Sequence, residues 1–300
     1  MIAETQRRGR PLAVFTAGGT RENVDDVRYL SNVATGALPA AMAELLLARG
    51  WDVIYVHGPN AALPGQLSLQ LDLSAIDGDA IGAQLALAAA DARARQKRLR
   101  DGGGALQRLA VYAAADALAT LAQVCRDRQP QLVACAMAVA DFAPRRVAGK
   151  LASRPPTLDH RASDRAAALT LTLDATEKVI DCVRKNAPHT RLLGFKLLSG
   201  GDEAAHQQAA AKLAARSGAD WVFSNDMSDY GVGRRRGVVR DATGSALTRL
   251  EGGEGDAALE RLAAALVDDV VARIGDLGAA ASVVGVSLPC DASTGSGRTS

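Results

Sequence analysis

Short apolar runs alternate with amphipathic stretches along most of the chain, and this alternation predicts the secondary structure. Continuous apolar runs and strict apolar/polar alternation favour strands, whereas a 3.6-residue spacing of apolar side chains favours helices. The predicted strands are residues 12–15, 52–56, 67–73, 132–137, 169–173, 191–195 and 221–223. The predicted helices are residues 39–49, 81–100, 106–126, 174 or 176 to about 185, 203–216 and 257–274. This order predicts an α/β fold with a doubly wound, mostly parallel, Rossmann-like sheet.

Three further segments complete the predicted organisation of a single domain over residues 11–276. Residues 145–165 are basic, contain proline and lack periodicity, which is typical of a mobile flap. Residues 237–240 and 246–250 predict a small β-hairpin extension. The ends, residues 1–10 and 282–300, are predicted to be disordered tails because they carry no periodic apolar face.

Composition narrows the class of protein. The chain of 300 residues is 48% hydrophobic, which suffices for one large core, and its net charge of +2 comes from scattered residues. Because basic stripes are absent and aromatic residues make up only 3%, no nucleic-acid partner is expected. No apolar run reaches the length of about 18 residues that a membrane span needs, and no signal core precedes the first strand, so a cytoplasmic location is expected.

The cysteines give no sign of a metal or disulfide framework. Cys125, Cys135, Cys182 and Cys290 are far apart and have no histidine at ligand spacing. Cys125, Cys135 and Cys182 are expected to be reduced packing residues.

The stretch after the first strand has the features of an anion-binding loop. Gly18 and Gly19 predict a turn that a ligand can approach closely, and Thr35 and Gly36 lead into a helix whose first N–H groups can hold an anion. The stretch departs from the dinucleotide fingerprint, which needs a third glycine at fixed spacing. On these residues alone, a plain tight turn explains the glycine pair equally well.

The predicted strand ends should converge on one ligand site. In an open parallel sheet, ligands bind outside the carboxyl ends of the strands. The residues gathered there would be 17–20, 57–59, 137–141, 195 and 224–226. They offer backbone amides, carboxamides, hydroxyls and a few cations, but no Ser-His-Asp or Cys-His set, so a protein nucleophile is not expected.

These residues carry a resemblance to a known family. The sequence 16–32, TAGGTRENVDDVRYLSN, resembles the first signature of phosphopantothenate-cysteine ligases, also called phosphopantothenoylcysteine synthetases. Further signatures are similar to Ala138-Val139-Ala140-Asp141-Phe142 with Lys150, to Gly194-Phe195-Lys196-Leu197, and to residues 218–226. The decarboxylase half that precedes the ligase in many bacteria has no counterpart here, so the resemblance implies a monofunctional ligase. A homodimer is also expected, by resemblance and because the hairpin of residues 237–250 would be weak as an isolated pair of strands whose open edges a partner would cover.

The resemblance implies a two-step reaction of coenzyme A synthesis. 4'-Phosphopantothenate would react with a nucleoside triphosphate, CTP or ATP with Mg2+, to give an acyl-nucleotide, and cysteine would then displace the nucleotide. Its matched catalytic residues are Asn32, as an oxyanion donor, Lys150 at the α-phosphate, and Arg28 on a carboxylate or phosphate. Two of these residues also have a structural alternative: Asn32 could be a helix cap, and Arg28 could form an ion pair with Asp25 or Glu22.

The resemblance also assigns residues to nucleotide binding, and none to a metal. Gly18, Gly19, Thr20, Thr35 and Gly36 would contact the nucleotide or its phosphates. Cys135, Ala136 and Met137 would offer backbone to the base, Asp141 an acceptor, and Phe195 an apolar wall. By themselves these residues are equally typical of an ordinary core, and only their shared location at strand ends favours the site. Lys212 and Arg216 match a basic pair that faces the triphosphate in relatives; by themselves they are typical of a solvated helix face.

Departures from the family pattern leave two alternative functions open. One hydroxyl and one polar side chain of the family are missing from the segment 33–37, Val-Ala-Thr-Gly-Ala. Lys150 is followed by Leu-Ala-Ser-Arg154 rather than by further lysines. Residues 174–177 stand where many relatives have a Lys-Asn-Pro turn. A non-catalytic ligand-binding homologue is one alternative. The other is an NAD(P)-dependent oxidoreductase, although none of Tyr29, Tyr55, Tyr112 and Tyr230 has the required lysine four residues on.

Overall fold

An eight-stranded sheet forms the centre of the protein. The structure is a computed structural model and describes residues 9–67, 78–151, 170–255 and 257–283. Its strands are β1 (Leu12–Ala17), β2 (Arg21–Asn23), β3 (Tyr29–Ser31), β4 (Asp52–His57), β5 (Leu106–Ala110), β6 (Leu132–Cys135), β7 (Phe142–Pro144), β8 (Leu173–Ala175), β9 (Arg191–Leu198), β10 (Trp221–Asp226), β11 (Arg235–Arg240) and β12 (Ala246–Gly253). Its helices are α1 (Ala37–Ala48), α2 (Gly78–Gly102), α3 (Ala114–Arg128), α4 (Cys182–Asn186), α5 (Glu203–Ser217), α6 (Met227–Gly231) and α7 (Ala258–Val283).

The sheet order confirms the predicted doubly wound fold. The strands lie in the order β12-β11-β10-β9-β6-β1-β4-β5. Neighbours from β10 to β5 pair in parallel, whereas β11 and β12 are antiparallel. The order reverses at β1 and β6, so the loops after these two strands border the crevice where such folds bind ligands.

Two hydrophobic layers cover the sheet. All positions of β1 are buried, as expected of a central parallel strand. Phe15 and its neighbours on one face pack with α1 and α7, and Leu12 and Val14 on the other face pack with α3, α4 and α5. This packing keeps β1 and β6 rigid beneath the loops that follow them.

The prediction for residues 106–126 is wrong at its beginning. Residues Leu106–Ala110 form β5, and α3 begins only at Ala114. Parallel pairing with β4, Val53 opposite Leu106, outweighs the local helical spacing, and the Asp116 carboxylate accepts the Ala113 N–H at 2.9 Å to start the helix there. The strand predicted at 67–73 lies, apart from Leu67, outside the described residues.

The predicted helix from 174 or 176 to 185 is also wrong over its first half. Residues Leu173–Ala175 form β8, which pairs antiparallel with β7, and a 3-10 turn at Val179–Asp181 precedes the short α4. The pairing is supported by an ion pair between Arg145 Nε and Asp174 Oδ2 at 2.9 Å. The strand predicted at 169–173 is seen only as Leu173, because residue 169 lies outside the described residues and residues 170–172 are not in a strand.

The predicted hairpin exists, but it is part of the main sheet. β11 pairs with β10, and Leu250 of β12 packs with Leu262 and Val267 of α7. Of the predicted flap, residues 145–151 are described, and 152–165 are not. The predicted tails lie mostly outside the described residues, and residues 282 and 283 belong to α7. Within the described part of the chain, no helix has both the length and the apolar character to cross a membrane.

Candidate active site

The loops after β1 and β6 are joined by hydrogen bonds into one double loop at the sheet's reversal point. Thr20 N donates to Ala138 O at 3.3 Å, and Ala138 N donates to Gly18 O at 2.8 Å. The hydroxyl of Thr20, a fully buried residue, accepts from Ala140 N at 3.1 Å. The first and second signature segments, distant in sequence, are therefore one rigid structural unit.

Close packing explains the glycines of this unit. Gly18 and Gly36 have φ angles of 75° and 68°, which favour glycine. A Cβ atom on Gly18 would lie 2.6 Å from the Cβ of Ala61, and one on Gly19 would lie 2.7 Å from Asn32 O. The sequence predicted approach by a ligand at these positions, whereas these contacts are with protein. Contact of Gly18, Gly19, Thr20 and Gly36 with a nucleotide stays a prediction.

The start of α1 lies beside this unit, where Thr35 is exposed and Gly36 and Ala37 are half-buried. Gly36 is its N-terminal cap residue, and the Thr35 hydroxyl accepts from Ala37 N at 3.4 Å. The buried Tyr55 hydroxyl donates to Gly36 O at 3.2 Å and to Ala62 O at 3.0 Å. Tyr55 therefore holds the helix start against the loop after β4, a role that sequence reasoning missed.

Asn32 is an exposed residue whose amide reaches the double loop. Its Nδ2 donates to Val139 O at 3.1 Å and to Ala138 O at 3.4 Å. Asn32 is not a helix cap, since α1 begins at Ala37 with Gly36 as its cap residue. The structure thus places a carboxamide donor directly on the second signature segment.

Arg28 forms the ion pair that was one of the two interpretations of its sequence. Its Nη1 lies 2.7 Å from Asp25 Oδ2 and donates to Leu151 O at 3.2 Å. Burial raises the pKa of the Asp25 carboxyl, but hydrogen bonds from the N–H groups of Val27, Leu151 and Arg28, together with the Arg28 charge, outweigh burial and lower that pKa below its ordinary value. Arg28 is therefore held in place by a permanently charged carboxylate at neutral pH.

Lys150 lies exposed beside the Asp25 turn. The residues on either side of it are bound to the first signature: Gly149 N donates to Asp26 Oδ2 at 3.1 Å, and Leu151 N donates to Asp25 Oδ2 at 3.0 Å. Within the described ranges Lys150 has no carboxylate partner within ion-pair distance. The structure therefore brings Lys150 and Arg28 to the same turn.

The residues assigned to the base surround the end of β6. Ala136 N and Met137 N donate to the carbonyl and hydroxyl oxygens of Thr16, both at 3.2 Å, so these two donors are occupied. Burial raises the pKa of the Cys135 thiol well above its ordinary value, which makes it a neutral packing group. Phe195, half-buried on β9, packs against Phe223 with ring centroids 5.6 Å apart.

Asp141 has a partner that sequence reasoning missed. Its carboxylate forms an ion pair with Lys178, and its main-chain carbonyl accepts from Thr176 N at 3.0 Å. The segment that departs from the family's Lys-Asn-Pro turn therefore packs directly on the second signature and supplies a lysine at this edge.

Lys212 and Arg216 are not brought together with the other predicted residues. Because β9 and β10 are parallel, α5 runs back from the carboxyl end of β9, and its last turns lie towards the opposite edge of the sheet. Lys212 is exposed there, and Arg216 Nε lies 3.2 Å from Asp181 Oδ1. Their part in nucleotide binding stays a prediction.

Asp226, at the end of β10, is a second buried carboxylate; the sequence placed it among the strand-end residues but assigned it no role. It accepts hydrogen bonds from Gly200 N and Gly201 N at 3.0 Å and from Ser228 N at 2.9 Å, and these bonds lower its pKa. His206 Nε2 lies 3.3 Å from Oδ2. Asp226 therefore shapes the loop between β9 and α5; its position at a strand end was the available signal.

Two other features bear on where a ligand binds. A cavity of about 510 Å³ lies between α1, α2 and α7, with walls of alanine and leucine and a few charged side chains. We assign the site to the strand ends instead, because the convergent donors and cations lie there. No group of three or more His, Cys, Asp or Glu side chains able to hold a metal occurs among the described residues.

Comparison with known proteins identifies the family of this chain. The model of the DNA/pantothenate metabolism flavoprotein C-terminal domain matches residues 9–72 and 73–251. The coenzyme A biosynthesis bifunctional protein CoaBC of Thermococcus kodakarensis is 25% identical over 219 residues, 73% of this chain and 42% of that protein. The chain thus spans about two-fifths of the length of this curated relative.

Solved structures share the fold. The DNA/pantothenate metabolism flavoprotein from Streptococcus pneumoniae superposes with a TM-score of 0.62 at 21% identity, covering 88% of this chain and 99% of that one. A histidine-to-alanine mutant of Cab2 in complex with phosphopantothenate-cysteine gives a TM-score of 0.67 at 20% identity, covering 91% and 89%. With its family model matched over residues 9–251, the chain belongs to the family of the DNA/pantothenate metabolism flavoprotein C-terminal domain.

Proposed function

We propose that this chain is a phosphopantothenate-cysteine ligase. The observation that carries the proposal is the turn at residues 25–28, where Arg28 lies next to the segment that contains Lys150. The chain continues from this turn to Asn32, which contacts the second signature. Cations for phosphates and a neutral amide donor for an acyl oxygen are what such a ligation requires, and no protein nucleophile is needed.

The first step joins the acid to the nucleotide. The carboxylate oxygen of 4'-phosphopantothenate attacks the α-phosphorus of CTP or ATP, the bond to the bridging oxygen breaks, and pyrophosphate leaves. Lys150 neutralises charge on the α-phosphate as the transition state forms, and Arg28 holds the substrate's carboxylate or phosphate. Mg2+ would enter with the triphosphate and offset its charge; the described carboxylates nearest the site, Asp25 and Asp141, are already paired with Arg28 and Lys178.

The second step forms the amide. The amine of cysteine attacks the acyl carbon, the carbonyl oxygen gains charge, and the nucleoside monophosphate leaves as that carbonyl re-forms; the amine loses its proton to solvent. Asn32 Nδ2 gives up its longer hydrogen bond, to Ala138 O at 3.4 Å, and donates that hydrogen to the charged oxygen while it keeps the bond to Val139 O. The base would use the main-chain carbonyls of residues 135–137, since the Ala136 and Met137 amides are occupied, together with Asp141 and Phe195. The start of α1 at Thr35 and Gly36 receives a phosphate.

A homodimer in the cytoplasm is the proposed working form. Several large apolar side chains are exposed on or next to two short antiparallel ribbons, β2–β3 and β7–β8: Val27, Tyr29, Val33, Phe142 and Leu173. A second copy that covers these ribbons would remove this apolar surface from water. The hairpin of residues 237–250 gives no support to the dimer, because it is not isolated but pairs with β10 in the main sheet.

Pyrophosphate release tests the proposal. Release should require both 4'-phosphopantothenate and a triphosphate, and separate assays with CTP and ATP identify the nucleotide. Substrate binding without release would instead support the non-catalytic homologue. A change in NAD(P)H absorbance with an oxidisable substrate would support the oxidoreductase.

A further inference from the structure

A single buried carboxylate is bonded to Arg28 and to the main chain next to Lys150, the two cations of the proposed first step. Asp25 is 1% exposed and lies between the segment that carries Arg28 and the segment that carries Lys150. Its Oδ1 accepts from Val27 N at 2.8 Å and from Arg28 N at 2.6 Å, which forms the turn. Its Oδ2 accepts from Arg28 Nη1 at 2.7 Å and from Leu151 N at 3.0 Å. The two oxygens thus have different tasks.

The neighbouring carboxylate holds the other side of Lys150. Asp26 Oδ2 accepts from Gly149 N at 3.1 Å, Asp26 Oδ1 lies 2.8 Å from Arg146 Nη2, and Asp26 N donates to Gly149 O at 3.1 Å. Val147 N donates to Val24 O at 3.0 Å. Residues 147–151 are therefore bonded along residues 24–28, while the Lys150 side chain itself stays exposed.

We propose that Asp25 is a positioning residue that sets the Arg28 guanidinium and the main chain at Lys150 relative to each other through its Oδ2 atom. The inference rests on the proposed function and deepens it, because it names the group that fixes the position of Arg28 relative to the segment that contains Lys150. Asp25 acts through these residues and does not itself contact substrate. Arg28 Nη1 also donates to Leu151 O, which closes a small ring of hydrogen bonds around Oδ2.

The arrangement requires a carboxylate rather than an amide at position 25. In Asp25→Asn, the remaining oxygen can still accept the two N–H groups of the turn, as asparagine commonly does. The nitrogen that replaces Oδ2 would face two donors, Arg28 Nη1 and Leu151 N, and could accept from neither. The variant should therefore keep the turn and lose the connection to Leu151.

The test compares Asp25→Asn with Asp174→Asn in the full chain. Asp174 pairs with Arg145 at the base of the same segment, but the pair is exposed and does not contact Lys150. Amide hydrogen exchange by NMR is the first readout, because it needs no turnover. Leu151 N–H should exchange much faster in Asp25→Asn than in the parent, at the parent rate in Asp174→Asn, and β1 amides should remain protected in both.

Single-turnover kinetics supplies the second readout. Acyl-nucleotide formation should fall by about ten- to a hundredfold in Asp25→Asn, because misplacing reacting groups by about 1 Å can cost about 10² in rate. The KM for the triphosphate should change less than kcat, and Asp174→Asn should stay near the parent. If Asp25→Asn does not fold, Asp25→Ser, whose hydroxyl can hold the turn but cannot reach Leu151, replaces it.

The outcomes separate this inference from the proposed function. Unchanged Leu151 exchange in folded Asp25→Asn overturns the inference, as does equal slowing of the first step in both variants. A parent enzyme that releases no pyrophosphate overturns the proposed function, whereas the exchange experiment still tests the role of Asp25.

Discussion

Asn32 and Val139, more than a hundred residues apart in sequence, are joined by a hydrogen bond of 3.1 Å from Asn32 Nδ2 to Val139 O. The bond links the end of the β2–β3 ribbon to the double loop that borders the sheet's reversal point. It gives Asn32 a defined orientation although the residue is exposed. A donor that is already oriented stabilises developing charge with little reorganisation.

Asn32→Ala should slow the second step by about 10² to 10³, which is the usual cost of removing one preorganised donor. The fold should stay intact, and acyl-nucleotide should accumulate. Quenched-flow chromatography of the nucleotide products measures this, with Asn23→Ala on the same ribbon as the control. Parent turnover in Asn32→Ala would refute the oxyanion role.

Lys150→Ala should reduce acyl-nucleotide formation more than nucleotide affinity, because an interaction made chiefly in the transition state lowers turnover rather than binding. Single-turnover nucleotidyl transfer, measured beside triphosphate affinity, checks this. Arg154→Ala is the comparison, since Arg154 is the next cation in the sequence and lies outside the described residues. If Arg154→Ala abolishes the step while Lys150→Ala does not, the lysine has been assigned wrongly.

Asp226 should make stability depend on pH. Hydrogen bonds from main-chain N–H groups lower the pKa of the Asp226 carboxyl in the folded protein. The ionised carboxylate therefore stabilises the fold fully above the pKa of an unfolded aspartate, about 3.8. This stabilisation is lost as pH falls from that value through the lower pKa of the folded state. Urea unfolding from pH 7 to pH 3 should show a difference between parent and Asp226→Asn that shrinks below about pH 4. A constant difference would contradict the carboxylate's role.

The parent should be a dimer in solution. Light scattering at micromolar concentration should give twice the chain mass of 31.0 kDa. Val33 is 96% exposed on the proposed interface, so Val33→Asp should shift the mass towards the monomer. Val232→Asp, at a 64% exposed valine beyond α6, should not. A monomeric parent would refute the proposed interface.

The strand ends could be predicted from sequence because a buried parallel strand is a continuous apolar run, which can be recognised without knowing the strands that pair with it. The predicted run 12–15 is apolar throughout and lies within β1, and the predicted run 132–137 contains β6, which ends two residues sooner, at Cys135. β5 was missed because it is an edge strand with a half-exposed, mixed pattern, and only its pairing with β4 distinguishes it from the helix that follows.

The candidate site was predictable in its residue types but not in its connections. Asn32, Arg28 and Lys150 were found by resemblance, whereas the contacts of Asp25 with Leu151 and of Asp141 with Lys178 join segments far apart in sequence. Gly18 and Gly36 were identified as special positions, yet the atoms that require glycine there belong to Ala61 and to Gly18 itself. Such packing partners become visible only in three dimensions.

The central claim is that this chain joins 4'-phosphopantothenate to cysteine at the expense of a nucleoside triphosphate. Mass spectrometry of the products formed with isotopically labelled cysteine tests it most directly, with pyrophosphate and nucleoside monophosphate measured in the same reaction. We predict one labelled amide product per pyrophosphate and per monophosphate released, with none when cysteine or the triphosphate is omitted. Triphosphate consumption without labelled product, or no consumption of either CTP or ATP, would contradict the claim.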